Sequence, residues 1–231
     1  MSLAEAHARQ LAEEQSHNLL SGERYLPAKR MLDLFVAVAL LVLFGPLMLL
    51  IAVGIKVHSP GPILYRQNRI GKGGRPFDML KFRSMRDGSA SNPHRKHVQR
   101  LIRENIWPRD LGSTSLKLRN DSRITGLGRI LRALSLDELP QFINVLRGEM
   151  SIVGPRPPLP YEFDLYDDWA KHRLDVLPGI TGLWQVTARN QVSFEEMVRI
   201  DLAYVRKMSP GLDLRIIVLT PLEMLRGRGG G

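Results

Sequence analysis

Asp137 and Glu138 stand side by side in the run Ser135-Leu136-Asp137-Glu138-Leu139-Pro140, and adjacent carboxylates are one of three places where this 231-residue chain could carry chemistry. Taken alone, the hexapeptide reads as a helix start. Ser135 with Glu138 three residues on is a capping-box pattern, acidic side chains suit a first turn, and Pro140 fits the beginning of a helix. The second place is a set of arginines beside rigid turns: Arg132, Arg156 between two prolines, and Arg189 before Asn190. Pro φ angles fix the backbone around Arg156, and a guanidinium aimed in this way suits planar, bidentate recognition of phosphate. The third is Lys81-Phe82-Arg83-Ser84-Met85, where basic and apolar residues alternate. As a strand it sets Lys81 and Arg83 on one face, which reads equally as a phosphate-binding edge or a solvated sheet face.

The elements that must position these residues begin with an apolar run. From Met31 to Ile55 the only charge is Asp33. Roughly 20 apolar residues span a bilayer, so the run is long enough to enter a membrane. It begins too late and runs too long for a signal peptide, and no small-residue cleavage site follows it. Gly45-Pro46 lies in its middle. Pro46 withholds an N–H from the Val42 carbonyl and crowds it, so the sequence predicts two arms, Met31–Phe44 and Leu47–Ile55, joined at a break. Lys29 and Arg30 precede the run, and Lys56, Arg66, Arg69, Lys72 and Arg75 follow it. Positive flanks on both sides give no inside/outside asymmetry, which favours a re-entrant helix with both ends in the cytoplasm. Lys29 and Arg30 are then expected to anchor at the membrane interface, with Lys29 pairing Asp33 four residues on.

Residues 1–28 read as a polar extension with a short helix over Leu3–His17. Strands are predicted at Ile63–Arg69 and Pro76–Phe82, joined by Gly71-Lys72-Gly73-Gly74. That loop lacks the Ser/Thr and the glycine spacing of a nucleotide phosphate loop, so it reads as a hairpin turn. Helices are expected over His94–Asn105, Thr125–Leu134, Pro140–Arg147, Tyr161–Asp175, Ser193–Lys207 and Leu212–Leu225. Gly112–Asp121 reads as irregular and Leu183–Thr187 as a strand. In the last two helices, Leu202, Val205, Leu214, Ile217, Val218 and Leu222 oppose Arg206, Lys207, Arg215 and Arg226, a pattern that serves a membrane interface or core packing equally. The fold class is α+β: a re-entrant membrane helix (29–58), a helix-rich domain with a small β-hairpin (59–226) and a glycine-rich tail (227–231).

Composition narrows the partners. Lys and Arg number 33 against 23 acidic residues, a net charge of +10 that favours an anionic partner. With no cysteine, disulfides, thiolate zinc sites and thiol catalysis are excluded. A nucleic-acid binder would account for the charge, but it would not need the apolar run, and no binding motif is present. A basic membrane scaffold without catalysis would account for the run, yet gives no reason for an acidic pair framed by fixed arginines.

From Lys29 to the last helix the chain resembles the bacterial sugar transferases, the monotopic polyprenyl-phosphate phosphoglycosyl transferases. The resemblance rests on Lys29-Arg30 before the apolar run, PILYRQNRIGKGGRPFDMLKFRSM, LRALSLDELPQFINVLRGEMSIVGPRP and PGITGLWQVTARN, in that order. It implies that Asp137 is a nucleophile which takes a phosphosugar from a UDP-sugar and expels UMP, and that polyprenyl (undecaprenyl) phosphate then accepts it. It further implies that Glu138 assists, that Mg2+ binds at Asp137 and Glu138, and that Arg132, Arg156 and Arg189 hold phosphates, with Lys81 and Arg83 beside them. A re-entrant dip and a catalytic domain on the cytoplasmic face of the bacterial inner membrane are implied too. Relatives often carry Ser-Pro at the break, where this chain has Gly45-Pro46. Gly cannot offer a hydroxyl to the freed backbone groups.

Overall fold

The apolar run lies within one helix, α1 (Leu3–His58), in a computed structural model that describes the backbone of residues 3–85, 99–100, 102–104, 124–188 and 192–225. Helical backbone continues through both Pro27 and Pro46, so the polar extension and the two expected arms join without interruption. The physical reason is local. A proline removes one i to i−4 bond and bends the axis, while long apolar helix formers on both sides keep the remaining bonds.

Two separate stretches of α1 pack on the rest of the chain. Tyr25, Lys29, Asp33 and Ala37 are buried at four-residue spacing, so they share one face. Further on, Ile51 and Ile55 are buried against Phe82 and Leu131. Between Ala37 and Ile51 no residue is buried, and Val42, Leu43, Leu49 and Leu50 are exposed.

The hairpin forms as expected. Strands β1 (Leu64–Ile70) and β2 (Pro76–Phe82) pair antiparallel, Leu64 opposite Phe82 and Ile70 opposite Pro76. Helix α2 (Gly126–Ala133) starts at Thr125, whose hydroxyl accepts the Gly128 N–H at 2.9 Å. Gly128 is required there, because a Cβ would lie 2.0 Å from the Ser84 carbonyl oxygen. Helix α3 (Gln141–Arg147) ends at Gly148, with φ 80°. A strand not anticipated, β3 (Ser151–Val153), pairs in parallel with β4 (Gly179–Thr181).

Two sequence expectations fail here. The acidic segment Tyr161–Asp175 is not one helix but α4 (Pro160–Phe163), α5 (Asp168–Lys171) and a 3-10 turn (His172–Leu174). The chain must turn at Asp167 so that Tyr166 and Arg173 enter the same interior, where Tyr166 meets Phe194 at 5.1 Å between ring centroids. Leu183–Thr187 is a single helical turn, α6, rather than a strand. Its backbone bonds close locally, Val186 N–H to Gly182 O and Ala188 N–H to Trp184 O, and the strand lies just upstream.

Helices α7 (Phe194–Lys207) and α8 (Pro210–Leu225) complete the described chain. Ser193 caps α7 through the Glu196 N–H. Val205 and Ile217 pack on the main core, while Leu214, Val218 and Leu222 stay exposed along α8. Within the predicted helix His94–Asn105, residues 99–100 and 102–104 are helical. The rest of that segment, the irregular stretch Gly112–Asp121 and the tail 227–231 lie outside the described residues.

Candidate active site

The acidic pair is not a helix cap. Ser135 stands in the left-handed region at φ 54°, ψ 21°, and its side chain caps nothing. A non-glycine residue held there is strained, and such strain collects at functional sites. Leu136–Glu138 then form one 3-10 turn, and α3 begins only after Pro140. Leu136 and Leu139, on either side of the acids, pack with Ile51, Ile55, Phe82 and Leu131. The second stretch of α1 therefore seats the acidic turn directly.

Asp137 is buried, with 8% of its surface exposed. Glu138 is half-buried, and its Oε1 accepts from Lys81 Nζ at 2.9 Å. Lys81 comes from β2, 57 residues away, so hairpin and acidic turn are clamped together. Arg83 has another task. Its Nη1 donates to the Pro60 carbonyl at 2.7 Å, and its Nη2 to the Ser59 carbonyl and hydroxyl at 2.7 and 2.8 Å. Those bonds commit a buried guanidinium to the turn that links α1 to β1.

Arg156 is carried by a loop whose carbonyls are bound on every side. Pro155 O accepts the Gly179 N–H, Pro158 O accepts the Ile70 N–H at 3.0 Å, and Pro157 O accepts Arg69 Nη1 at 2.9 Å. The Arg156 carbonyl lies 3.5 Å from Arg173 Nη2. Gly154 allows β3 and β4 to close beneath this loop, since a Cβ would meet Leu177 O at 2.4 Å. Arg173 itself is fully buried, paired with Asp201 of α7 and bonded to the Tyr166 hydroxyl at 3.1 Å. Among the described residues, the guanidinium of Arg156 has no hydrogen-bond acceptor, and neither has that of Arg132, half-buried on α2. Arg189 lies outside the described residues. Arg69, near the end of β1, lies within electrostatic reach of both Arg156 and Glu138.

Sequence reasoning counted Arg69 only among the charges that flank the apolar run, and passed over Arg173 and Asp201. Position alone could have raised Arg69: it is the penultimate residue of the first strand, two positions before the glycine turn. Arg173 and Asp201 left no signal in a short window, because they sit 28 residues apart.

The expected interface anchors are anchored in protein. Lys29 is 6% exposed, and its Nζ lies 2.5 Å from Asp213 Oδ2 but 4.0 Å from Asp33 Oδ1. Asp213 also accepts from the Tyr25 hydroxyl at 2.9 Å. Asp33 accepts the Ile152 N–H at 3.0 Å. Arg30 donates to the Val145 and Leu146 carbonyls, where a cation complements the end of α3. These charges hold α1 to the domain.

Among the described residues no cluster of three His, Asp or Glu could cage a metal ion. Mg2+ needs no such cage, since it commonly takes one or two carboxylates and fills its octahedron with water and substrate phosphate oxygens. Asp137 and Glu138 offer hard oxygen donors of that kind, and so fit it.

The family model described as bacterial sugar transferase matches residues 24–227. The chain is 41% identical over 202 residues to the exopolysaccharide production protein ExoY of Sinorhizobium fredii, covering 87% of each protein. It is 39% identical over 206 residues to the galactosyl transferase CpsE of Streptococcus agalactiae serotype III, covering 89% of this chain but 44% of CpsE. It is 42% identical over 209 residues to the UDP-glucose:undecaprenyl-phosphate glucose-1-phosphate transferase of Xanthomonas campestris pv. campestris, covering 87% of this chain and 39% of that protein. The chain thus spans nearly all of one relative and less than half of the other two.

Proposed function

Because this chain belongs to the bacterial sugar transferase family, we propose that it moves a sugar-1-phosphate from a UDP-sugar to a polyprenyl phosphate through a covalent intermediate on Asp137. The observation that carries this reading is the buried Asp137 on a strained turn, with Glu138 fixed by Lys81 of the hairpin. An Asp137 carboxylate oxygen attacks the phosphorus that bears the sugar. The bond to the other phosphate breaks and UMP leaves. A polyprenyl phosphate oxygen then attacks the same phosphorus, and the carboxylate departs with lipid diphosphate-sugar as product. Splitting the transfer lets one small site serve a soluble donor and a lipid acceptor in turn.

The obstacle is like-charge repulsion between carboxylate and diphosphate, and the residues present address it. Arg156 and Arg132 offer unspent guanidinium donors to phosphate oxygens, and Lys81 adds a cation while holding Glu138 in place. Mg2+ bound at Asp137 and Glu138 would supply further charge neutralisation. UDP-glucose and UDP-galactose are the donors to try first, since relatives are named for glucose and galactose transfer.

The membrane reading is a re-entrant helix bent at Gly45-Pro46, on the cytoplasmic face of the bacterial inner membrane. Lys29 and Ile55 support it, because both are buried in the same domain. They are 26 residues apart, about 39 Å along a straight axis, which exceeds the roughly 30 Å hydrocarbon core. A straight span would set them on opposite faces, beyond the reach of one domain. The exposed side chains between them, Val42, Leu43, Leu49 and Leu50, suit acyl chains and not water. Packing Leu136 and Leu139 on this helix then sets Asp137 near headgroup level.

Mass spectrometry after mixing the protein with UDP-sugar alone tests the reading. A phosphohexose adduct on Asp137 is the expected result. Product formation with lipid, but no adduct under repeated trapping, overturns the covalent route.

A further inference from the structure

Arg69 is an enclosed cation with no assigned partner in the chemistry above. It is 3% exposed, at the end of β1. Its Nη1 donates to the Pro157 carbonyl at 2.9 Å, and its Nε and Nη2 share the Gln67 Oε1 at 3.2 and 2.9 Å. All these acceptors are neutral. Among the described residues neither Arg69 nor Arg156 forms an ion pair. The carboxylates that Arg69 feels are committed elsewhere: Glu162 Oε2 accepts the Leu159 N–H at 2.7 Å, and Glu138 holds Lys81. Its strongest charged neighbour is another cation, Arg156. Burial first, and that like charge second, push Arg69 down to about 10, which leaves it charged at neutral pH.

A buried guanidinium beside a second one, with its nearby carboxylates already holding other donors, is a costly arrangement. Its cost falls when an anion arrives. Arg69 also uses only part of its five-donor fork on the loop and on Gln67. We propose that Arg69 is a positioning residue for the phosphate site: it fixes the Arg156 loop through Pro157 and adds a second positive charge that makes affinity rise with the charge of the bound phosphate. This rests on the reading of Arg156 as a phosphate ligand, and it adds a residue that fold and field, not contact, bring to the site.

The test uses the full chain in detergent at fixed Mg2+, with calorimetric affinities for uridine, UMP, UDP and farnesyl phosphate. Arg69→Met removes fork and charge, whereas Arg69→Lys keeps the charge and preserves folding if the apolar variant does not fold. In Arg69→Met, uridine affinity stays within about twofold while UDP weakens about tenfold or more, with UMP between them. Arg69→Lys recovers UDP affinity to within about threefold of wild type. A loss confined to farnesyl phosphate also supports the charge role, and assigns it to the lipid acceptor. An equal loss for uridine, UMP and UDP overturns the proposal, since a merely structural role weakens every ligand alike. Wild-type affinity for every phosphate in Arg69→Met overturns it too. Failure of the underlying reading has its own signature: the wild type then prefers neither UDP nor farnesyl phosphate to uridine, and Arg69 loses its role with it.

Discussion

Replacing Asp137 by Asn keeps the size of the side chain and removes the charge that, in the proposed mechanism, attacks phosphorus. The expected outcome is loss of UMP release by a factor on the order of a thousand or more, with thermal stability and membrane association retained. Normal turnover in a UMP-release assay would exclude Asp137 as the nucleophile. Arg156 is tested against an exposed arginine of the same domain. Arg156→Ala is expected to slow turnover on the order of a hundredfold, whereas Arg75→Ala, on the hairpin loop surface, changes it less than about twofold. Similar effects from both would reduce Arg156 to general surface charge. At this scale the sequence was partly readable. Arg156 between prolines stood out because Pro limits backbone freedom, and its loop is indeed bonded at each flanking carbonyl. The Ser135–Glu138 spacing pointed the other way, to a capping box. What no local rule contains is that Ser135 turns left-handed because Leu136 and Leu139 must both reach the cluster around Ile51 and Ile55.

Among the elements, α1 makes the sharpest claim. Pro46→Ala restores one backbone hydrogen bond and removes the clash with the preceding turn, so the helix is expected to straighten. Cysteine labelling from one side of proteoliposomes, at positions flanking 31–55, reads the result. In the parent protein both flanks are expected to label from the same side, and in Pro46→Ala to separate in a measurable fraction of molecules. Unchanged same-side labelling would show that packing of Lys29 and Ile55 on the domain, not the proline, sets the path. The elements differ in how legible they were. The hairpin and α7 were clear because turn glycines and a Ser193 cap are local signals. Leu183–Thr187 was misread because five residues are too few to separate a helical from a strand period, and the buried pair Trp184 and Val186 has the two-residue spacing of a strand. Strand β3 was missed for a related reason: its three residues pair in parallel with a strand 28 positions on, which no short window can see.

Across the whole molecule, the apolar helix α1 and α8 are joined by a buried ionic knot. Lys29 meets Asp213 of α8, and Asp213 also takes the Tyr25 hydroxyl. The Tyr204 hydroxyl lies 2.8 Å from Asp213 and 3.0 Å from the Val153 carbonyl, so the knot reaches the strand that precedes the Arg156 loop. Breaking such a pair from one side leaves an uncompensated buried charge. Lys29→Met is therefore expected to destabilise the protein by about 3 kcal/mol, read as an earlier thermal transition in detergent. Adding Asp213→Asn removes the stranded charge while leaving an oxygen for the tyrosine hydroxyls. The double variant is expected to be less destabilised than the sum of the two single changes, with a coupling of at least about 1 kcal/mol. Strict additivity would mean that Lys29 and Asp213 stabilise the protein independently. In that case the apolar contacts of Ala37, Ile51 and Ile55 hold helix and domain together, and the position of Asp137 relative to the bilayer depends on packing alone.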